Sequence, residues 1–350
     1  MSSRPHTLVV RLDRMGDVVL TGPAVRAVAA GSRRVTFLAG PHGRAAARLL
    51  PGVDRVLEWR CPWIDQPAPP VRSDEVARLV RTIRALHVDR AVVLTSFHQS
   101  PLPTALLLRL AGVRWIGAVC EDYPGSLLDL RLPDPGDVPE AERALTIVAA
   151  AGFGLPHRDD GRLAVRVAAD ASGPRFDVVL HPGTSVPARA WPAEHWGELC
   201  RRLTAQGLQV AVTGSAAERS LVQQVSGTTT AVDLADRTPL PALAALLRAS
   251  GVLVAANTGV AHLAAATHTP VVSLFAPTVP AVRWAPYRTA CVVLGDQDAP
   301  CRDTRATQCP VPGHPCLTSV LPHDVVAAVD QMRATSHEPH GPPVHLGGAR

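Results

Sequence analysis

The stretch Asn257-Thr258-Gly259-Val260-Ala261-His262 decides the fold prediction, because it joins an apolar run to a run of small helix-forming residues. Residues 251–256, which precede it, are short and apolar, as in a buried parallel strand. Residues 263–266, which follow it, are Leu and three Ala, all good helix formers. The sequence therefore predicts a strand that ends in a polar turn and continues as a helix.

Such a turn has two interpretations. Backbone N–H groups at the start of a helix point at a ligand above the turn, and phosphate is the usual one. Gly259 would let the backbone approach that ligand, while Thr258 and His262 would add side-chain donors. The simpler interpretation is an ordinary strand-turn-helix unit in which Asn257 caps the helix.

The basic residues exclude several chemistries. All 35 of them are arginine, and the chain contains no lysine. A Walker A motif, a Schiff-base enzyme and a pyridoxal-phosphate enzyme each need a lysine, so these classes are excluded. Asn257 is the only asparagine among 350 residues, which indicates a local role for its side chain.

The bulk properties are those of a globular protein. A length of 350 residues predicts two domains, since one core seldom exceeds about 250–300 residues. The net charge of +5 suits acidic partners such as nucleotides or a lipid surface. Nucleic-acid binding is not expected, because the arginines are scattered and aromatic residues make up only 4%.

Neither a membrane span nor a signal peptide is predicted. Arg11, Asp13, Arg14 and Asp17 interrupt the one candidate signal core, and no uncharged apolar run reaches about 18 residues. The seven cysteines are an odd number in a long chain. We therefore expect a cytoplasmic, largely reduced protein.

Short apolar runs alternate with amphipathic stretches along the chain, a pattern typical of parallel α/β layers. The predicted strands are 7–12, 34–39, 54–59, 90–95, 114–119, 176–181, 208–213, 231–234, 252–256 and 271–275. The predicted helices are 18–30, 74–86, 101–111, 139–151, 193–205, 216–225, 240–249 and 323–334.

This alternation divides the chain into two Rossmann-like domains, at residues 1–152 and 175–322, joined by a linker at 153–174. We expect a last helix at 323–335 to cross back to the first domain. The tail at 336–350 offers little to bury and is expected to be disordered.

Polar residues follow the predicted strands where ligands of open parallel sheets bind. In the second domain, Gly183, Thr184 and Ser185 can present N–H and hydroxyl groups to phosphate, and Arg189 supplies a permanent charge. Glu218 would repel phosphate, so we place it near a ribose or a base. In the first domain, Asp17 follows the first predicted strand and could simply be the N-cap of the next helix.

The motifs and their order are similar to those of glycosyltransferase family 9, the family of ADP-heptose:lipopolysaccharide heptosyltransferases. They are Met-Gly-Asp-Val-Val-Leu-Thr-Gly-Pro-Ala at 15–24, His-Pro-Gly-Thr at 181–184, Arg-Ala-Trp-Pro-Ala-Glu-His-Trp at 189–196, Thr-Gly-Ser at 213–215 and Asn-Thr-Gly-Val-Ala-His at 257–262. The resemblance covers about residues 7–334. It implies the GT-B architecture, in which two Rossmann-like domains with mainly parallel sheets face a cleft. The first domain would bind the acceptor and the second the nucleotide sugar.

The resemblance also implies roles for individual residues. Asp17 matches the family's proposed general base, and Arg189 lies where relatives commonly carry a pyrophosphate-binding lysine. Thr184 and Ser185 match positions at the donor phosphates, and Glu218 matches a carboxylate near the nucleoside. The loop beneath the diphosphate is matched by Thr258, Gly259 and His262.

Asn257 departs from the family pattern, which usually has Asp at this turn. A residue that only caps the helix would tolerate the change, whereas one that orients a sugar hydroxyl would alter donor preference. We expect the capping role.

The resemblance implies an inverting transfer, in which a nucleoside diphosphate leaves as its charge is neutralised. No Asp-x-Asp motif follows a predicted strand, so we expect no metal and no cofactor. Cys301, Cys309 and Cys316, with His314 nearby, could form a tetrahedral zinc site. Their spacing is not that of a standard zinc motif, and a structural role is expected instead.

The expected function is transfer of a heptose or related sugar from an ADP-sugar to a glycan or lipid-linked acceptor of the lipopolysaccharide core type. The expected setting is the cytoplasm, with peripheral contact at the inner face of the plasma membrane. The alternatives are a sugar-nucleotide epimerase and a catalytically silent nucleotide-sugar-binding protein. A nicotinamide dehydrogenase is disfavoured, because no Gly-x-Gly-x-x-Gly follows the first strand.

Overall fold

A computed structural model describes residues 4–168 and 174–335 of the chain. The chain divides into two compact units, Met1–Arg166 (unit 1) and Val167–Arg350 (unit 2). The predicted linker lies partly outside the described residues, and the predicted tail lies wholly outside them.

Unit 1 contains a parallel six-stranded sheet with strand order β3-β2-β1-β4-β5-β6, the Rossmann order. Its strands are β1 (His6–Arg11), β2 (Arg34–Ala39), β3 (Arg55–Glu58), β4 (Arg90–Val93), β5 (Trp115–Val119) and β6 (Leu130–Leu132). Its helices are α1 (Met15–Leu20), α2 (Gly22–Gly31), α3 (Arg44–Leu49), α4 (Ser73–Ala85), α5 (Leu102–Leu110) and α6 (Glu140–Ala150).

The central strand of unit 1 is covered on both faces. All residues of β1 are buried, as the near-continuous apolar run of a parallel strand requires. Helices α4 and α5 pack against each other, and so do α2 and α6. Leu8 and Val10 of β1 belong to the same buried cluster as Ile83 of α4 and Leu108 of α5.

Unit 2 repeats this design, with strand order β12-β11-β10-β7-β8-β9 and all neighbours parallel. Its strands are β7 (Val178–His181), β8 (Val210–Val212), β9 (Val232–Asp233), β10 (Val252–Ala256), β11 (Val271–Leu274) and β12 (Cys291–Leu294). Its helices are α7 (Ala193–Ala205), α8 (Arg219–Ser226), α9 (Leu240–Ala249), α10 (Gly259–Ala266), α11 (Ala281–Trp284), α12 (Pro315–Thr318) and α13 (Pro322–Thr335). Read from β9, the order is again the Rossmann order, which confirms the expected α/β class.

The core of unit 2 gathers around α7 and α13. Trp196 of α7 is fully buried, and Trp191 packs edge-on against it with ring centroids 5.1 Å apart. Helix α13 contacts α7, β10, β11 and β12. Its predicted crossing back to the first domain stays a prediction.

The structure differs from the predicted elements where segments are short. The strands β6 and β12 and the helix α3 were not predicted, and the predicted helix at 18–30 is two helices. The hydroxyl of Thr21 donates to the carbonyl of Val18 at 2.7 Å and closes α1. Pro23 then lies in the first turn of α2, where its missing N–H costs nothing.

In the described parts of the chain, no helix combines the length and the apolar composition that crossing a bilayer requires.

Candidate active site

Each sheet has one place where the strand order reverses, between β1 and β4 in unit 1 and between β7 and β10 in unit 2. In open parallel sheets, ligands bind at the carboxyl ends of the strands beside this switch point. The residues selected from the sequence that follow these strand ends are Asp17, Thr184, Ser185, Arg189, Asn257, Thr258, Gly259 and His262.

Asp17 lies in α1, just beyond the end of β1. The helix begins at Met15 with Arg14 as its N-cap, so Asp17 is its third residue and the N-cap interpretation is wrong. Its Oδ1 accepts a hydrogen bond from Nη2 of Arg11 at 3.1 Å. The side chain remains 25% exposed. Its role toward a substrate hydroxyl stays a prediction.

Arg11 ends β1 and was considered in the sequence only as a charge that interrupts an apolar run. Its side chain is 3% exposed, and Nη2 also donates to Ser96 Oγ at 2.8 Å. Burial alone would lower the pKa of this guanidinium, but the carboxylates of Asp13 and Asp17 outweigh burial and raise it. Arg11 is therefore a permanent, buried cation at the carboxyl end of β1.

Asp13 was likewise missed as a site residue. Its Oδ2 lies 2.7 Å from Arg11 Nε, and its Oδ1 accepts from Gln99 Nε2 at 2.5 Å. Burial raises the pKa of Asp13, the charge of Asp17 adds to this, and Arg11 opposes it. The loop after β1, through Asp13, and the loop after β4, through Gln99, thus meet beside the buried guanidinium of Arg11.

In unit 2, the loop after β7 carries Thr184 and Ser185. The hydroxyl of Thr184 accepts from the N–H of Val186 at 3.2 Å, which shapes the loop, and Ser185 is exposed. Arg189 ends a 3-10 helix at Pro187–Arg189. A Cβ at Gly183 would collide with the carboxylate of Glu218, so the Glu218 side chain would have to shift.

Glu218 has a local structural role in addition to the one expected of it. Its Oε2 accepts from the N–H of Ser215 at 2.7 Å and from the hydroxyl of Ser215 at 2.8 Å, forming a capping box. Burial lowers the pKa of the neighbouring His181, and the charge of Glu218 opposes that shift. A role of Glu218 toward a nucleoside stays a prediction.

The turn after β10 corrects the expectation for Asn257. The N-cap of α10 is Thr258, and no side-chain capping bond is formed, so Asn257 does not cap the helix. Asn257 is 5% exposed, and its Nδ2 has no hydrogen-bond partner in the described residues. The hydroxyl of Thr258 is also buried and has no hydrogen-bond partner in the described residues.

His262 lies in the first turn of α10 and is 4% exposed. Burial, and then the charge of Arg189, lower its pKa to about 4, so the imidazole is neutral near pH 7. Its Nδ1 has no partner among the described residues. The fold thereby brings Arg189 and His262, which are 73 residues apart in the sequence, close enough to interact beyond the carboxyl ends of β7 and β10.

These unsatisfied groups could bind a ligand. A buried donor or acceptor left without a partner costs about 1–3 kcal/mol. Asn257, Thr258 and His262 place three such groups within six residues, and the charge of Arg189 acts on His262. Thr278, four residues beyond β11, is a fourth that sequence analysis did not select. An oxygen-rich anion would satisfy this set.

The three cysteines considered above as zinc ligands are neighbours in the structure, and their expected structural role stays a prediction. Cys301, Cys309 and Cys316 are free thiols, and burial, with Cys301 and Cys309 as neighbours, raises the pKa of Cys316 to about 12. The ring of His314 is engaged instead, with Nε2 3.1 Å from the carbonyl oxygen of Ala188. Within residues 4–168 and 174–335, no three His, Cys, Asp or Glu side chains are arranged to hold a metal ion.

Comparison with known proteins connects this geometry to a family. Residues 76–314 match the family model described as glycosyltransferase family 9 (heptosyltransferase). Lipopolysaccharide heptosyltransferase 1 of Pseudomonas aeruginosa is 30% identical over 315 residues, which make up 85% of this chain and 85% of that protein.

Solved structures share the fold. A glycosyltransferase family 9 protein from Veillonella parvula superposes with a TM-score of 0.76 at 16% identity, covering 95% of this chain and 98% of that one. The E. coli heptosyltransferase WaaC with ADP-2-deoxy-2-fluoro heptose has a TM-score of 0.70 at 19% identity, covering 93% of this chain and 99% of that one. The expected GT-B class, with two Rossmann-like units, is confirmed.

Proposed function

Because this chain belongs to glycosyltransferase family 9, we propose that it transfers a heptose, or a related sugar, from an ADP-sugar to a hydroxyl of a glycan or lipid-linked acceptor of the lipopolysaccharide core type. Membership of the family makes the protein a glycosyltransferase. The observation that carries the donor assignment is the set of buried, unpartnered polar groups of Asn257, Thr258 and His262 beside Arg189.

The donor diphosphate is assigned to the ends of β7 and β10. Arg189 supplies the positive charge, and the backbone N–H groups at Thr258 and Gly259 lie at the start of α10, where anions are stabilised. Thr184 and Ser185 add hydroxyl groups from the neighbouring loop. The solved E. coli heptosyltransferase that carries an ADP-sugar analogue supports a donor of this class.

The transfer step follows from the assigned roles. The acceptor hydroxyl oxygen attacks the anomeric carbon while the bond from that carbon to the diphosphate oxygen breaks. The hydroxyl proton passes to the Asp17 carboxylate, and ADP leaves with the bonding electron pair. A single displacement of this kind inverts the configuration at the anomeric carbon.

We propose that no metal ion takes part. The charge that develops on the leaving diphosphate is stabilised by Arg189, by the hydroxyl of Thr258 and by the helix N-terminus. The acceptor is assigned to unit 1, which carries Asp17, and peripheral contact with the membrane that holds a lipid-linked acceptor is part of the proposal.

The experiment that tests the donor site is calorimetric binding of ADP-heptose, compared with ADP, UDP-glucose and GDP-mannose. ADP-heptose is expected to bind most tightly, and Arg189→Gln to weaken it at least about tenfold, since a charged hydrogen bond contributes about 1.5–3 kcal/mol. Arg201→Gln is the matched control, because Arg201 is 63% exposed and pairs with Glu198 on α7. Equal binding of UDP-glucose, or equal effects of the two variants, would overturn the assignment.

A further inference from the structure

The charged groups around Arg11 extend well beyond its contact with Asp17. Arg11 Nη1 lies 3.6 Å from Glu140 Oε2, and the Glu140 side chain is 2% exposed. Together with Asp13 and Asp17, Glu140 makes three carboxylates that face one buried guanidinium. The three acidic residues come from the loop after β1, from α1 and from the start of α6.

A second guanidinium closes this cluster. Arg143, one turn after Glu140 in α6, interacts with Glu140, donates to the carbonyl of Thr95 and lies 3.3 Å from Asp134 Oδ1. Four carboxyl groups therefore share two guanidinium groups, so acidic groups outnumber basic ones.

The remaining titratable neighbours do not reverse that balance. Asp13 also faces His98, which opposes the raised pKa of that carboxyl. The Cys61 thiol, which Asp13 faces as well, has its pKa raised to about 12 by burial and stays neutral. Ser96 and Gln99 are uncharged and orient Arg11 and Asp13.

The sharing matters for a carboxylate that has to accept a proton. A carboxylate paired one-to-one with a guanidinium holds its negative charge firmly and is a weak base. The nitrogens of Arg11 lie 2.7, 3.1 and 3.6 Å from the carboxylates of Asp13, Asp17 and Glu140, and of these three only Asp17 accepts a hydrogen bond from it. The charge of Arg11 is therefore shared among three carboxylates.

We propose that Arg11 holds the Asp17 carboxylate in position while Glu140 and Asp13, by sharing the guanidinium, keep Asp17 basic enough to accept the acceptor's proton. The inference rests on the proposed function of Asp17 and makes Arg11, Asp13 and Glu140 positioning residues. Removing the charge of Glu140 leaves Asp13 and Asp17 as the carboxylates that share Arg11.

The test is a pH titration of carboxyl carbon signals in protein labelled with 13C at aspartate Cγ. The Asp17 signal is assigned from its absence in Asp17→Asn. In Glu140→Gln, the midpoint of the Asp17 signal is expected to move down by about 0.5 pH unit or more relative to the unsubstituted chain. Asp13→Asn is expected to move it in the same direction.

The matched control is Glu142→Gln, which makes the same change of charge two positions further along α6. Its Asp17 midpoint is expected to equal that of the unsubstituted chain. Should Glu140→Gln fail to fold, judged by circular dichroism, Asp13→Asn decides, because Asp13 is less buried. An Asp17 midpoint that does not change in the folded variants, or that moves equally in the control, would overturn the proposal.

The titration uses neither donor nor acceptor. Failure of ADP-heptose to bind would therefore overturn the proposed function without affecting the charge sharing. An Asp17 midpoint that does not move would overturn the charge sharing without affecting the proposed function.

Discussion

The guanidinium of Arg189 and the imidazole of His262 interact at the carboxyl ends of two neighbouring strands of unit 2, and the pKa of His262 is lowered to about 4 by burial and then by Arg189. The two residues consequently divide their roles. Arg189 carries the charge, and near pH 7 His262 is a neutral group with one N–H donor and one acceptor nitrogen.

The lowered pKa of His262 predicts loss of stability in mild acid. The unfolded chain takes up the proton near pH 6.5 and the folded chain only near pH 4, so His262 favours unfolding progressively as the pH falls between these values. From pH 7 to pH 5 this residue alone accounts for a loss of about 2 kcal/mol. Urea unfolding of His262→Gln at both pH values should show a loss smaller by that amount. Identical losses for the two proteins would contradict the assignment.

Asn257→Ala is expected to weaken donor binding and leave the fold stable. Its Nδ2 has no partner among the described residues, so truncation removes no intramolecular bond from that amide nitrogen. Urea unfolding should give a free energy within about 0.5 kcal/mol of the unsubstituted chain, whereas loss of a true N-cap costs about 1 kcal/mol. Calorimetry should show weaker binding of ADP-heptose.

Thr267→Ala is the control for Asn257→Ala. Thr267 is also buried near α10, but its hydroxyl bonds the carbonyls of Leu263 and Ala264 and the hydroxyl of Thr269. It should lower the free energy of unfolding by about 1 kcal/mol and leave donor binding unchanged. If Asn257→Ala instead lowered the free energy of unfolding and left donor binding unchanged, Asn257 would have the capping role.

Gly183→Ala is expected to destabilise unit 2 through Glu218. The added Cβ collides with the Glu218 carboxylate, which is held in place by two bonds from Ser215, so those bonds have to break. Loss of the capping box costs about 1 kcal/mol. In Gly183→Ala/Glu218→Ala, the alanine meets no carboxylate, and the double variant should be more stable than the sum of the single effects predicts. Additive unfolding free energies would show that the collision is relieved elsewhere.

Asp17→Asn is expected to abolish transfer while donor binding remains. A carboxamide cannot take the acceptor's proton, and loss of a general base lowers a rate by about 100-fold to 10,000-fold. The measurement is ADP release from ADP-heptose with a heptose-deficient lipopolysaccharide core as acceptor, beside calorimetry of the donor. A chain that binds the donor and transfers equally slowly with and without Asp17 would be a silent nucleotide-sugar-binding protein.

Local patterns predicted the framework well. The strand at 252–256 and the helices at 193–205 and 240–249 were predicted to the residue, because apolar periodicity and end signals are properties of adjacent residues. The short strands β6 and β12 were missed, since three or four residues at a sheet edge carry too little periodic signal.

The same local reasoning failed where a side chain had two possible partners. Asn257 and Asp17 were both given an N-cap as one interpretation, yet the caps are Thr258 and Arg14. The shift from Asn257 to Thr258 is beyond pattern recognition, because Asn and Thr both suit the N-cap position. The shift from Asp17 to Arg14 spans three residues and ends at a residue type that N-caps do not favour.

The sequence by itself determined that this chain forms parallel α/β layers, that its polar turns follow the strands, and that its motifs resemble glycosyltransferase family 9. Only the tertiary structure decided which polar groups meet: Arg11 with Asp13, Asp17 and Glu140, and Arg189 with His262. The alternation of apolar residues is a property of neighbouring positions in the chain, whereas contacts such as that of Arg11 with Glu140 depend on strand order and helix placement. The charge carried by each site follows from those contacts.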